Sequence, residues 1–148
     1  MDKKQALLLS LLAADEDGTI SGRTRLQKLL FLAQEDFSEP LDTGYEFYAY
    51  DYGPFSKELL DDIESLERDG LVSERNIDLG HGEKYIYEIE PDGQAALERF
   101  LEGLTEPERA EIIDRAELVE SNFNGIALSR LLEFVYNQYE SYTEESVL

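Results

Sequence analysis

From residue 3 onward, apolar positions crowd almost every turn of a helical repeat: Ala6, Leu7, Leu8, Leu9, Leu11 and Leu12. The pattern predicts a helix over 3–14 buried on most of its circumference. Asp15-Glu16-Asp17-Gly18 ends it, and Ser21 stands as the N-cap of a second helix. That helix places Leu26, Leu29, Leu30, Leu32 and Ala33 at helical spacing. Beyond Pro40 and Gly44 the pattern alternates. In Tyr45-Glu46-Phe47-Tyr48-Ala49-Tyr50-Asp51-Tyr52, Tyr45, Phe47 and Ala49 share one side and Tyr48, Tyr50 and Tyr52 the other. The segment is either a short strand or an aromatic loop packed on the core. Pro54 suits the first turn of a third helix, which carries Phe55, Leu59, Leu60, Ile63 and Leu66 and stops at Gly70.

At Leu71 the period changes from 3.6 to 2. Leu71-Val72 begins one strand and Lys84 to Ile89 forms another, with a long, flexible tip at Gly80-His81-Gly82. Pro91-Asp92-Gly93 launches a fourth helix, Gly93 allowing a tight turn, with Ala96, Leu97, Phe100 and Leu101 inward. Pro107 opens a fifth helix through Ile112, Ile113, Ala116 and Val119. Asn124-Gly125 separates it from a sixth bearing Leu128, Leu131, Leu132, Val135 and Tyr139. The expected class is α+β, mostly α, in one domain over 1–148: a core of three helices and a hairpin over 1–90, further helices over 91–140, and a flexible tail over 141–148. The apolar stripe of the sixth helix exceeds what capping needs. It buries against the first helix or across the two-fold axis of a homodimer.

Charge changes the picture. The 148 residues hold 34 acids against 13 bases, a net −21. Net charge speaks to solubility and association rather than fold. A nucleic-acid mimic, a partner for a basic protein and adaptation to molar salt all fit such a number. The acids are spread along the whole chain, and lysines are only five against eight arginines. Dispersed acids with few lysines favour salt adaptation, where the Debye length shrinks to ~3 Å at 1 M. No run approaches the ~20 apolar residues of a membrane span, and the start Met1-Asp2-Lys3-Lys4 leads into an amphipathic helix rather than a signal peptide. A cytoplasmic protein is expected. Without cysteine, disulfides, thiolate metal sites and cysteine nucleophiles are excluded.

Two resemblances follow. Leu66-Glu67-Arg68-Asp69-Gly70-Leu71-Val72 resembles the exit of the recognition helix in winged-helix regulators, and Tyr85 to Leu97 resembles their second wing strand and the following helix start. The implied core is winged-helix-like: three helices plus a β-hairpin wing. Over more of the chain, Arg25-Leu26-Gln27-Lys28-Leu29-Leu30-Phe31-Leu32 resembles the "L-Q-K-L-[LI]-[YF]" helix of the YwgA-like and SocA-like antitoxin (Panacea domain) group. Tyr52-Gly53-Pro54-Phe55-Ser56 resembles its "Y-G-P-[FYV]-S" element, and Leu131 through Tyr142 its closing helix in the YwgA-like branch. The resemblance implies a non-enzymatic regulatory or adaptor protein acting through protein contacts. The alternative is a winged-helix DNA-binding regulator.

The candidate residues sort accordingly. A winged helix sends its third helix into the major groove. Here that helix carries Glu58, Asp61, Asp62, Glu64, Glu67 and Asp69 against Lys57 and Arg68, opposite a polymer with one negative charge per ~1.7 Å. Better phosphate contacts are Arg23, Arg25 and Lys28, then Arg75, His81 and Lys84 on the wing. For Arg25 and Lys28 intramolecular salt bridges are the favoured use. Tyr48, Tyr50 and Tyr52 are candidates for an aromatic contact surface, to stack bases or anchor a protein. His81, the sole histidine, reads as a solvated turn residue, and no cofactor or metal is expected. Phosphate-loop, dinucleotide, nucleophile-elbow and zinc-protease motifs are absent, so catalysis is not expected.

Overall fold

A computed structural model describes residues 1–41, 44–51 and 53–142. At its centre lies α1 (Lys3–Ala14), whose Ala6 to Leu12 are all buried. A capping box closes its start: Asp2 accepts from the Gln5 backbone N–H, and the Gln5 side chain accepts from the Asp2 backbone. Around it pack α2 (Arg23–Glu35), α4 (Pro91–Glu102) and α5 (Glu106–Val119). The remaining helices are α3 (Lys57–Arg68) and α6 (Leu128–Gln138). A π-helical turn, Glu120–Asn124, prolongs α5, and a 3₁₀ turn covers Glu140–Tyr142. The class is α+β and mainly helical. No helix of the described residues is long and apolar enough to cross a membrane.

Among the described residues five short strands make two antiparallel sheets. Strands β1 (Thr19–Ser21), β4 (Val72–Asp78) and β5 (Glu83–Ile89) stand in the order β1-β5-β4, with Ile20 opposite Tyr87 and Val72 opposite Ile89. Strands β2 (Tyr48–Tyr50) and β3 (Gly53–Phe55) pair only with each other.

Several expectations are corrected. Ser21 is not an N-cap but the last residue of β1, and Gly22 starts α2 without a side-chain cap. Three residues are too few to show a period, and only Ile20 among them is buried. Pro54 lies in β3; Ser56 caps α3 by accepting from the Leu59 N–H. The hairpin tip is short, Leu79 to Gly82, because pairing runs out to Asp78 and Glu83. That outer half is exposed on both faces, so no alternation marks it. Gly93 adopts no left-handed turn. It lets α4 lie against the chain at Leu71, whose carbonyl oxygen would sit 2.1 Å from a Cβ.

The apolar side of α6 lies against α2 and β3, with Leu131 and Val135 fully buried. Tyr142 does not dangle with a loose tail. Its ring, with those of Tyr139 and Phe47, meets buried Phe31 edge-on at 4.8–5.3 Å between centroids. Residues 143–148 of the expected tail lie outside the described residues.

Candidate functional site

Two of the sequence elements that carry the second resemblance, the α2 helix and the Gly53-Pro54-Phe55-Ser56 segment, meet in space. Gln27 of α2 presents both ends of its amide to Ser56. Its Nε2 donates to the Ser56 carbonyl at 3.0 Å, and its Oε1 accepts from the Ser56 N–H at 2.8 Å. One position along, Lys28 Nζ donates to the Pro54 carbonyl at 2.9 Å. Two turns later Gln34 repeats the device, donating to the Tyr45 carbonyl and accepting from the Tyr45 N–H. Residues 45–56 have little sheet of their own, so helix side chains satisfy their backbone groups. Gly53 completes the joint at φ +95°, where a Cβ would stand 3.0 Å from the Tyr136 ring.

Lys28 is therefore not a surface contact. It is 2% exposed, lying under the β2–β3 hairpin against Gly53 and Pro54. Nor does it form the expected salt bridge, since a carbonyl is its partner. Burial lowers its pKa from 10.5 to about 8. Between these values the unfolded chain holds more protons than the folded one, so stability rises with pH. From pH 8 to 10 we expect a gain of about 2 kcal/mol in urea unfolding, absent in Lys28→Met. Equal slopes in both proteins would refute it. Near pH 10 the rise ends, because burial pushes the phenols of Tyr45, Tyr87 and Tyr139 up while unfolded phenols ionise.

Arg25 also serves the fold, donating from Nη1 to the carbonyls of Phe123 and Asn124 at 3.2 and 3.1 Å. It ties the π-helical turn to α2 rather than pairing with an acid. Arg23 is half exposed and held in place: Nε donates to the Tyr87 hydroxyl at 3.2 Å, the guanidinium lies 3.9 Å from the Tyr85 ring centroid, and Glu74 is 3.4 Å away. Arg75, His81 and Lys84 are exposed on the β4–β5 hairpin. Arg23, Arg25 and Lys84 share an open cleft of about 490 Å³ at the start of α2, rimmed by Leu79, Tyr85 and Leu128. Lys28 lines a different cleft.

The tyrosines divide as the alternation predicts. Tyr45 is buried with its hydroxyl donating to Asp62 at 2.8 Å, while Tyr48 and Tyr50 are 44% and 48% exposed. With Phe55 they form a triangle of rings 5.1–6.4 Å apart. Tyr52 lies outside the described residues. Beneath Tyr50 and Phe55 a half-enclosed cleft of about 200 Å³ is lined also by Arg23, Thr24, Gln27, Lys28 and Leu60.

On α3, Asp62 and Glu67 are partly buried, which removes them from the outer face. Glu58, Asp61, Glu64 and Asp69 remain outward. Lys4 pairs with Glu58 at 2.7 Å and Lys57 with Asp61 at 3.4 Å. Sequence reasoning missed Gln27, Gln34 and Arg115. The available signal was geometric: Leu26, Leu29 to Leu32 and Ala33 span so much of the α2 circumference that polar residues between them have no outer side.

No family model matches the chain. It is 31% identical over 123 residues to the uncharacterized protein YwgA of Bacillus subtilis (strain 168), an alignment covering 83% of this chain and 70% of that protein.

Proposed function

The chain belongs to the YwgA family, and from that footing we propose that it is a non-enzymatic cytoplasmic regulator or adaptor that engages a protein partner through the Tyr48–Tyr50–Phe55 face. One observation carries the reading. Two large aromatic side chains stand nearly half exposed on a hairpin whose second strand α2 fastens at Pro54 and Ser56, and the core does not use them. Tyrosine anchors interfaces at low entropic cost, and Arg23 beside it adds a fixed cation.

The arrangement α1, β1, α2, α3, β4, β5 with sheet order β1-β5-β4 supports a winged-helix core of the Panacea type. Within such a core, the outward acids of α3 oppose a major-groove role. The DNA-regulator reading draws its support from Arg23, Arg25 and Lys84 around one cleft, although Arg25 is already committed to carbonyls. The dispersed charge is consistent with adaptation to high salt.

Affinity capture from the native host at its own salt tests the choice, with protein and nucleic acid both identified. The wild-type chain is expected to retain a stoichiometric protein. Tyr48→Ala/Tyr50→Ala is expected to lose it by about tenfold or more, with an unchanged melting curve. Recovery of specific DNA without a protein would overturn the proposal.

A further inference from the structure

We propose that the cleft between α2 and the β2–β3 hairpin is a binding site for a small planar carboxylate. Its volume of about 200 Å³ suits a single-ring compound. Tyr50, Phe55 and Leu60 give it apolar walls, against which a flat ring packs favourably.

The charge requirement comes from Lys28. Its side chain lines the cleft and is only 2% exposed. Among the described residues one hydrogen bond, to the Pro54 carbonyl, occupies one of its three N–H donors. No carboxylate of the described residues pairs with it, and burial is the cause of its lowered pKa. A buried ammonium without counter-charge is a costly arrangement, and an incoming carboxylate supplies what is missing. Arg23, also in the lining, is fixed by Tyr87 and Tyr85 before any ligand arrives. Such preorganisation spares the ordering cost that a free side chain incurs on binding. Gln27 is fixed in the wall by the hydrogen bonds that both ends of its amide make with Ser56. Among the described residues the lining holds Arg23 and Lys28 and no anion, with Glu74 3.4 Å from Arg23 but outside the lining. The Lys28 ammonium, which no described carboxylate neutralises, is what selects against neutral and cationic rings of the same shape.

The probe is benzoate, titrated into the whole chain at pH 7 and low salt while backbone amide shifts are followed by NMR, with benzamide as the uncharged control. Saturable shifts are expected in residues 23–28 and 48–55, with benzamide about tenfold weaker or worse. Lys28→Met and Arg23→Gln are each expected to weaken benzoate by about tenfold. Arg23 is half exposed, so its variant keeps the test decisive if Lys28→Met does not fold. No saturable shift, equal binding of benzamide, shifts centred elsewhere, or wild-type affinity in a folded Arg23→Gln would each overturn the proposal. No protein partner is present in the titration, so its outcome is separate from that of the contact face above.

Discussion

Gly93→Ala is expected to destabilise the protein by about 3 kcal/mol, despite the helix propensity gain of about 1 kcal/mol that alanine brings. The added Cβ would meet the Leu71 carbonyl oxygen at 2.1 Å and the Ile89 side chain at 3.0 Å. A side chain can rotate away, but Leu71 O is backbone and already accepts from the Glu90 N–H at 2.9 Å. Relief requires α4 to move off the base of the β4–β5 hairpin, which loosens Leu97 and Ile89 together. Urea unfolding measures the loss directly, and a melting temperature lower by about 8 °C is expected for a chain of this size. Gly103→Ala is the control. Gly103 has an ordinary helical φ of −79°, and its nearest non-neighbour atom would be 3.4 Å away. It is expected to be neutral or slightly stabilising. Equal melting of the two variants would show that the Leu71 contact carries no weight.

Arg115→Leu is expected to cost about 4 kcal/mol, since charge-assisted hydrogen bonds contribute about 1.5–3 kcal/mol each. Arg115 is 6% exposed on α5, and its Nη1 donates to the carbonyls of Ala33 and Gln34, both at 3.0 Å. Its Nη2 donates to the Glu39 carbonyl, and the Phe37 ring lies 4.7 Å from the guanidinium. These are orphan carbonyls at the end of α2 and in the loop beyond, so Arg115 closes the helix C-terminus from another element. A cation there also opposes the negative end of the helix dipole. Arg115→Lys should recover less than half of the loss, because a point charge cannot reach three acceptors as a planar fork does. Full recovery by lysine would mean that charge alone matters.

These two positions show what could be read before any coordinates. Long apolar periods were legible: α1, α3, α4 and the inner half of the β4–β5 hairpin follow from spacing, and the alternation from Tyr45 to Tyr50 sorted buried from exposed side chains correctly. The missing elements were β1, in which Ile20 alone is buried, and β3, whose Pro54 and Phe55 read as the start of a helix. The joints were illegible for a different reason. Gln27, Gln34 and Arg115 are polar, and polar residues within amphipathic helices default to the solvent face. Their partners are backbone carbonyls and N–H groups, which carry no sequence signature. Lys28 was noticed for its charge and placed on the wrong side for the same reason. On the hairpin face, by contrast, Tyr48 and Tyr50 stand where the pattern put them.

The fastenings of residues 45–56 to α2 have a consequence for a chain with a charge of −21. Gln27 and Gln34 hold Ser56 and Tyr45 with uncharged amides. Lys28 keeps its donor to Pro54 even as a neutral amine. Ions that screen the acidic exterior, and protons that titrate it, do not act on the two amide links. The outer charge therefore responds to the medium while the scaffold under the tyrosines stays insulated from it. One molecule thus combines a charged coat that answers to its medium with largely uncharged fastenings beneath the tyrosines.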